Sequence, residues 1–443
     1  MAEITPIRTP AETALVELFP TVRASLPGDA GVAGRRDAAF ETFRSQGLPH
    51  RRVEAYKYTD LRTLLRETAP LAPAPDAADI QAAGATADVF ASVDALRVTL
   101  VDGHLVPSLS GLSRLPAGVE AIGLADALAA SHPLVAEHMG AVARIDGDPV
   151  NALNAAFAGD GVVIRVKAGT TVAKPILVRN VLVSGTPVAV YTRVLLIVEE
   201  GASVTLVESH EAVSAVAHYA NTVVEVLAGD RTTVHHVRAN TRGGHAFDLS
   251  ALAVRLGGHA AFTSVGVALA AAVSRHQVNV RLGGEHSTLT VGGAALLSGR
   301  QHADSTLIVE HVAPHCASRE LFKNVLDGES TGVFQGKIIV ESQAQKTDGR
   351  MMSQAVLLAD GAAMNNKPEL EIFADDVQCA HGATCGALDD DLLFYLRARG
   401  LPKPDAEALM LQAFVGEALD LVENETAREA LSEAVEGWLR ARM

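Results

Sequence analysis

A chain of 443 residues exceeds the roughly 250–300 at which one hydrophobic core stops growing, so an elongated or multi-domain molecule is expected. Its composition is 48% apolar but only 4% aromatic, so Ala, Val, Leu and Gly fill the core, which suits thin, regular layers. A formal charge of −15 excludes a surface built to release counterions from nucleic acid, and neither DNA nor RNA is an expected partner.

The opening stretch MAEITPIRTPAET has no basic start followed by an apolar run, and the longest apolar stretch, Val265 to Val273, is far shorter than the roughly 20 residues of a membrane span. Neither secretion nor membrane insertion is expected. RRDAAFETFRSQGLP predicts a helix with Ala39, Phe40 and Phe43 on one side, stopped by Gly47 and Pro49. After RRVEAYKYTDLR comes a stretch in which Pro70, Pro73 and Pro75 preclude regular helix, and it reads as a linker. Short strands are expected from Leu96, then a helical interlude from Leu124 to Phe157.

From Gly161 to about Pro368 one phrase returns: VEEGASVTLVE at Gly201, VLAGDRTTVHHV at Gly229, RLGGHAAFTSV at Gly257, RLGGEHSTLTV at Gly283 and VLDGESTGVFQG at Gly328. The first three intervals are 28, 28 and 26 residues, and Gly361 extends the series less regularly. A period in the twenties marks stacked repeats. Each unit carries an alternating strand on either side of a tight corner, where glycine adopts positive φ cheaply. Hairpins of an antiparallel sandwich would show Asn-Gly turns, which are nearly absent, so coils of a parallel β-helix are favoured.

The segment from about Asp389 is helical again. Leu411, Phe414, Val415, Ala418 and Val422 form one apolar stripe, and Leu431, Val435, Trp438 and Leu439 a second, with Thr426 and Glu429 as a capping-box pattern between them. Such stripes cover either the chain's own core or a partner. The expected organisation is an N-terminal helical region with its linker over 1–95, a β-helix core over 96–386 and a C-terminal helical domain over 387–443.

Several near-motifs fail on spacing. HEAVSAVAH lacks the histidine pair of a zinc protease helix, GVFQGKI lacks a P-loop's Ser/Thr, and neither GxGxxG before a helix nor GxSxG occurs. His235 and His236 are adjacent in a strand, so their rings face opposite sides. Glu208, His210 and Glu211 are the nearest thing to an acid-rich patch, as a β-helix enzyme acting on carbohydrate or acyl substrates would need. Three cysteines are too few for a disulfide framework and suit a reducing compartment, the cytosol. Two of them fall in VQCAHGATCG, where Cys379 and His381, two apart in a strand, point to one face. That pair could ligate iron or zinc, or be a core thiol beside a hydrogen-bonded imidazole; Cys385 follows a Gly-Ala-Thr stretch read as a turn.

The run from KTDGRMMSQAVLLADGAAMNNKPELEIFADDVQCAHGATCG into the last helices resembles the C-terminal signature of the SufB/SufD family, scaffold proteins of SUF-type iron–sulfur cluster assembly. EAYKYTDLR and NALNAAFAGDGVVIRVKAG are similar to its N-terminal marks, and the Cys-x-His-Gly-Ala-Thr form resembles the SufD branch. Tyr56 stands where members often have Trp, and Cys385 where an apolar residue is expected. The resemblance implies a right-handed parallel β-helix flanked by helical domains. It implies a non-catalytic scaffold that pairs with a SufB-like paralogue, or with itself in isolation, while a SufC-like ABC ATPase docks on the C-terminal helices. On this chain His381 would be a ligand of a transient iron–sulfur cluster or iron at the paired interface, not tightly bound to this chain alone, with Cys379 a supporting thiol. Leu411, Phe414, Val415 and Ala418 would be the ATPase-docking stripe.

Overall fold

The computed structural model describes residues 8–442. The chain opens on helix Pro10–Val22, where Thr9 and Glu12 form a reciprocal capping box, and on helix Ala30–Gln46, which ends at Gly47 with φ 71°. Ala39, Phe40 and Phe43 are buried there, as the apolar spacing predicts.

From Leu96 the chain forms strands stacked in parallel into two facing sheets, each turn giving one strand to each sheet. The ten-stranded sheet finishes on Gln378–Gly386 and the nine-stranded one on Ala363–Ile372. Tyr219 pairs with Phe247 and Phe247 with Val273, offsets of 28 and 26 residues, so the sequence period is the length of one turn. The result is a β-solenoid of about 8 turns, and among the described strands antiparallel pairing occurs only at its start. Alternate residues such as Val194, Leu196, Val226 and Leu252 point inward and form one continuous core. Each such side chain contributes about 1.5–3 kcal/mol of burial, repeated turn after turn.

The glycine series divides between two edges. Gly229 sits over Glu200, Gly257 over Gly229 and Gly284 over Gly258, along one edge. Gly328 stacks on Gly299, and Gly361 on Gly328, along the other. Both edges turn a corner after a strand, which is why one phrase marks both and why the interval breaks after Gly283.

At its start the solenoid is closed by the antiparallel strands His104–Leu105 and Val119–Gly123, with Leu105, Leu112, Leu115 and Ala121 packed on the central core, while helix Pro149–Phe157 packs on the outer face of the nine-stranded sheet. The Asn154 amide donates to Thr192 O at 3.0 Å and Asn221 O at 2.9 Å, while its oxygen accepts from Arg193 Nε at 3.0 Å. Gly161 beside it has φ 151°, and a Cβ there would lie 1.8 Å from Arg193 O, so no side chain fits. Phe157, Tyr191, Tyr219 and Phe247 form an aromatic ladder along that outer face with ring centroids 4.9–6.0 Å apart, onto which Phe19 and Phe40 pack.

The proline-rich stretch is not a free linker. Ala189 exchanges backbone hydrogen bonds with Pro70 and Ala72, at 2.8 and 3.0 Å, and Asp76 caps a helix over Ala77–Ala85. The EAYKYTDLR mark clamps the nine-stranded sheet: the Tyr56 ring lies 4.0 Å from the Arg275 guanidinium, which donates to Ala55 O at 2.9 Å and pairs with Asp304.

Helices Lys403–Leu419 and Glu425–Arg442 lie along the outer face of the ten-stranded sheet. Asn424 caps the second, accepting from Ala427 N–H at 2.9 Å, in place of the Thr426 box expected from sequence. The stripe assigned to the ATPase is occupied within the chain: Leu411, Val415 and Ala418 are fully buried and Phe414 is half-buried, all against the solenoid side. Gly292 lets the helix approach, since a Cβ there would meet Leu421 at 2.6 Å. Those four residues are therefore core, because an exposed apolar sheet face lay within the chain's own reach. Among the described residues no helix is long and apolar enough to cross a membrane.

Candidate functional site at the open end

The last strand, Gln378–Gly386, pairs in parallel with Asp348–Leu357, placing Cys379 beside Gly349, His381 beside Met351 and Cys385 beside Ala355. Met351 is a buried member of the central core, and Cys379 packs on that core. Alternation then puts residues 379, 381, 383 and 385 on the face that looks into the solenoid. No further turn covers this face, so Cys379 is half-buried while His381 and Cys385 are exposed. The Gly-Ala-Thr stretch is strand and not turn: Gly382 lies within it because a Cβ would meet the Met352 methyl at 2.7 Å. Cys385 therefore shares the face of Cys379 and His381, a direction the sequence left open. Asp389 ends the sheet by accepting from Leu392 N–H at 2.9 Å and starting helix Asp390–Ala398.

Thiol and imidazole share one face, yet among the described residues no three His, Cys, Asp or Glu side chains come together to hold a metal ion. Burial pushes the Cys379 thiol up from its ordinary value, against a backbone hydrogen bond from Gly349. One column below His381, beneath Met351, lies Glu320, whose carboxyl burial pushes up to about 8.

Apolar side chains are exposed at the corner before this strand and on the helix after it. Phe373 is 63% exposed and Ile372 40%, and on the following helix Phe394 is 75% and Tyr395 52% exposed. No residue of helix Asp390–Ala398 is buried, in contrast to the two helices after it.

A second polar group lies inside the solenoid. Glu208 accepts from His236 Nε2 at 2.6 Å, His236 Nδ1 meets Ser264 Oγ at 2.9 Å, and Asp248 pairs with Arg238 and Arg242, all fully buried. Burial favours the neutral acid at Glu208, but hydrogen bonds from His210 and His236 hold it well below the usual range. Burial, with the Arg238 charge, pushes His210 down to about 4. Glu211 points the other way, to Arg179 at 2.7 Å. The acids that a β-helix enzyme would need on one open face are thus divided between interior and exterior, and closed to a substrate. Sequence reasoning missed this network; its signal was the alternation, which puts 208, 210, 236 and 238 in register with the inward apolar residues Val204 and Val234. His235 faces outward, as expected, 3.3 Å from Glu423.

A β-solenoid closed at its start and open at its finish, flanked by helices and with a thiol and an imidazole on the uncovered face, defines a scaffold-type protein. The comparisons agree. The profile for the SUF system FeS cluster assembly SufBD core domain matches residues 181–414, and that for the SufBD protein N-terminal region residues 10–178. An iron–sulfur cluster assembly SufBD family protein of Synechocystis is 32% identical, over 89% of this chain and 88% of its own. Escherichia coli iron–sulfur cluster assembly protein SufD is 30% identical, over 86% and 87%, and Arabidopsis thaliana protein ABCI7, chloroplastic, 29%, over 91% and 85%. The chain belongs to the SufBD family of SUF-system iron–sulfur cluster assembly proteins.

Proposed function

We propose that this chain is the SufD-type subunit of a scaffold on which iron–sulfur clusters are assembled, at the face where its open end meets a SufB-like paralogue. The observation that carries the reading is the finishing pair of strands, which leaves main-chain groups, neighbouring apolar side chains and the Cys379–His381 face uncovered together. Exposed edge strands ordinarily invite pairing, so an open end flanked by exposed apolar side chains is a docking surface. Iron is the cargo. Neutral imidazole and thiolate are both ligands for it, and a site divided between two chains opens when they separate. His381 is the principal ligand on this chain and Cys379 supports it; the cluster is bound only in the pair.

A SufC-like ABC ATPase would dock on the C-terminal helical segment. Since the stripe from Leu411 to Ala418 is buried, the available surface is helix Asp390–Ala398 with Leu392, Phe394 and Tyr395. Co-purification of the tagged chain from its native cell, with mass identification of partners and iron assay, tests the reading. A SufB-like and a SufC-like protein are expected. The Phe394→Ser, Tyr395→Ser double variant should lose the ATPase and keep the paralogue; full retention of the ATPase would overturn that docking site.

A further inference from the structure

Remote from the open end, a cavity of about 220 Å³ lies between helix Ala30–Gln46, helix Leu124–Ala129 and the solenoid strand Ala189–Val198. Val32, Ala39, Leu124, Leu128, Met139 and Ile145 make its walls apolar, yet Arg35, Arg36 and Arg193 also line it. Arg36 is only 4% exposed and Arg193 3%.

The charges do not balance. Arg193 donates through Nη1 to Glu225 Oε1 at 2.9 Å, and Glu225 further accepts the backbone N–H groups of Gly140, Val142 and Ala143 at 2.9–3.3 Å. Glu225 is thus fully engaged, and it neutralises Arg193 alone. Arg36 has no carboxylate partner among the described residues: it donates to the carbonyls of Ala156 at 3.0 Å and Pro27 at 3.1 Å. Its Nε, and Nη2 of Arg193, are buried donors without an acceptor among the described residues. A buried cation without a counter-charge is strongly disfavoured, and each idle buried donor adds about 1–3 kcal/mol. Burial, with the neighbouring Arg193 and Arg35 charges, pushes Arg36 down to about 10.

We propose that this cavity is a binding site for a small monocarboxylate with an aliphatic body. A carboxylate accepts from both idle donors and supplies the one negative charge that Arg36 lacks. A dianion such as phosphate would overshoot that charge and lose its hydration against six apolar walls. The volume holds roughly seven groups at ~30 Å³ each, matching an acid of five or six carbons. Arg35 is exposed and stands at the mouth, where it attracts an incoming anion. The site is independent of the cluster half-site and of the reading given to it.

The test titrates hexanoate into the full chain, following saturation-transfer NMR and the thermal midpoint, with hexanol and inorganic phosphate as controls. One saturable site with Kd near about 1 mM or tighter is expected, with a raised midpoint, and neither control should reproduce it. Arg36→Met should weaken binding more than about tenfold. Arg35→Glu changes only an exposed side chain, so its fold is safe, and reversing the charge at the mouth should weaken hexanoate by about tenfold while leaving hexanol unchanged. Failure of hexanoate to saturate, equal binding of hexanol, or unchanged binding in Arg35→Glu would each overturn the assignment.

Discussion

The two ends of the solenoid are built from the same repeat and finished in opposite ways. At the start, the antiparallel strands His104–Leu105 and Val119–Gly123 pair with the first turn, and Leu105, Leu112, Leu115 and Ala121 pack on the central core. At the finish, strands Ala363–Ile372 and Gln378–Gly386 have no buried residue between them. A parallel stack needs capping at both ends, because each turn's polar groups and inward side chains are satisfied by the next. One end carries its cap within the chain. The other leaves Cys379 and His381 uncovered where its cap belongs, and on the function proposed above a second molecule is that cap.

The comparison breaks first at His381. His381→Ala removes an exposed imidazole without touching the core, so the isolated chain should keep its unfolding midpoint within about 0.5 kcal/mol. Iron and sulfide in the complex isolated from cells should fall by at least about tenfold with subunit stoichiometry unchanged. Normal cluster content would remove the ligand role. Loss of the complex would make His381 a structural contact.

The covered flank behind the start should respond the other way. Phe157→Ala deletes a fully buried ring between Phe19 and Tyr191 and should cost about 3–5 kcal/mol in urea unfolding. Asn154→Ala leaves Arg193 Nε and two carbonyls without partners, and should cost on the order of 2–4 kcal/mol. A loss under about 1 kcal/mol in both would show that the helix does not hold the outer face of the sheet.

The repeat shared by the two ends was legible before the fold was seen, and the contrast between those ends was not, for a physical reason. In-register parallel stacking repeats one residue class per turn, so Gly201, Gly229 and Gly257 announce the period directly. The same logic misleads at Gly328, which marks a corner on the opposite edge. Alternation put Cys379 and His381 on one face correctly, but Gly382 resembled a turn although it only makes room for Met352. The stripe from Leu411 to Ala418 was plain, while its occupant was not: periodicity reports an apolar face and never what covers it. The Tyr56–Arg275 clamp and the charge imbalance at Arg36 join residues far apart in sequence, so local pattern carries no trace of them.

Between the two ends, Glu320 offers a pH readout of how closed the finish is. Its carboxyl titrates near about 8 in the fold, far above an unfolded glutamate, because burial disfavours the charged form. The folded chain therefore holds a proton that the unfolded chain releases from about pH 4.5 upward. Stability should decline between about pH 4.5 and 8 and level off above. Glu320→Gln should abolish that decline and be more stable than the parent by on the order of 3 kcal/mol at pH 7, with little difference near pH 4. Parallel pH curves for the two proteins would mean that water reaches Glu320 and the open end is wetter inside than its packing indicates.

The smallest expected effect separates the two thiols. Cys385 shares the inward-looking face but lies four residues from His381, about 13 Å along the strand, whereas Cys379 is two residues away, about 7 Å. Iron–ligand bonds of little more than 2 Å let the side chains of Cys379 and His381 converge and leave Cys385 out of reach. Cys379→Ala should reduce cluster iron by roughly twofold to fivefold, and Cys385→Ala should leave it unchanged. Their chemistry should run in the reverse order. Cys385 is exposed, while Cys379 is half-buried with its thiol pushed up, so Cys385 should be alkylated by iodoacetamide at least about tenfold faster in the isolated chain. Adding the SufB-like partner should then slow both, because the missing cap covers the whole face. Protection of Cys379 alone would place the partner over only the inner half of the strand.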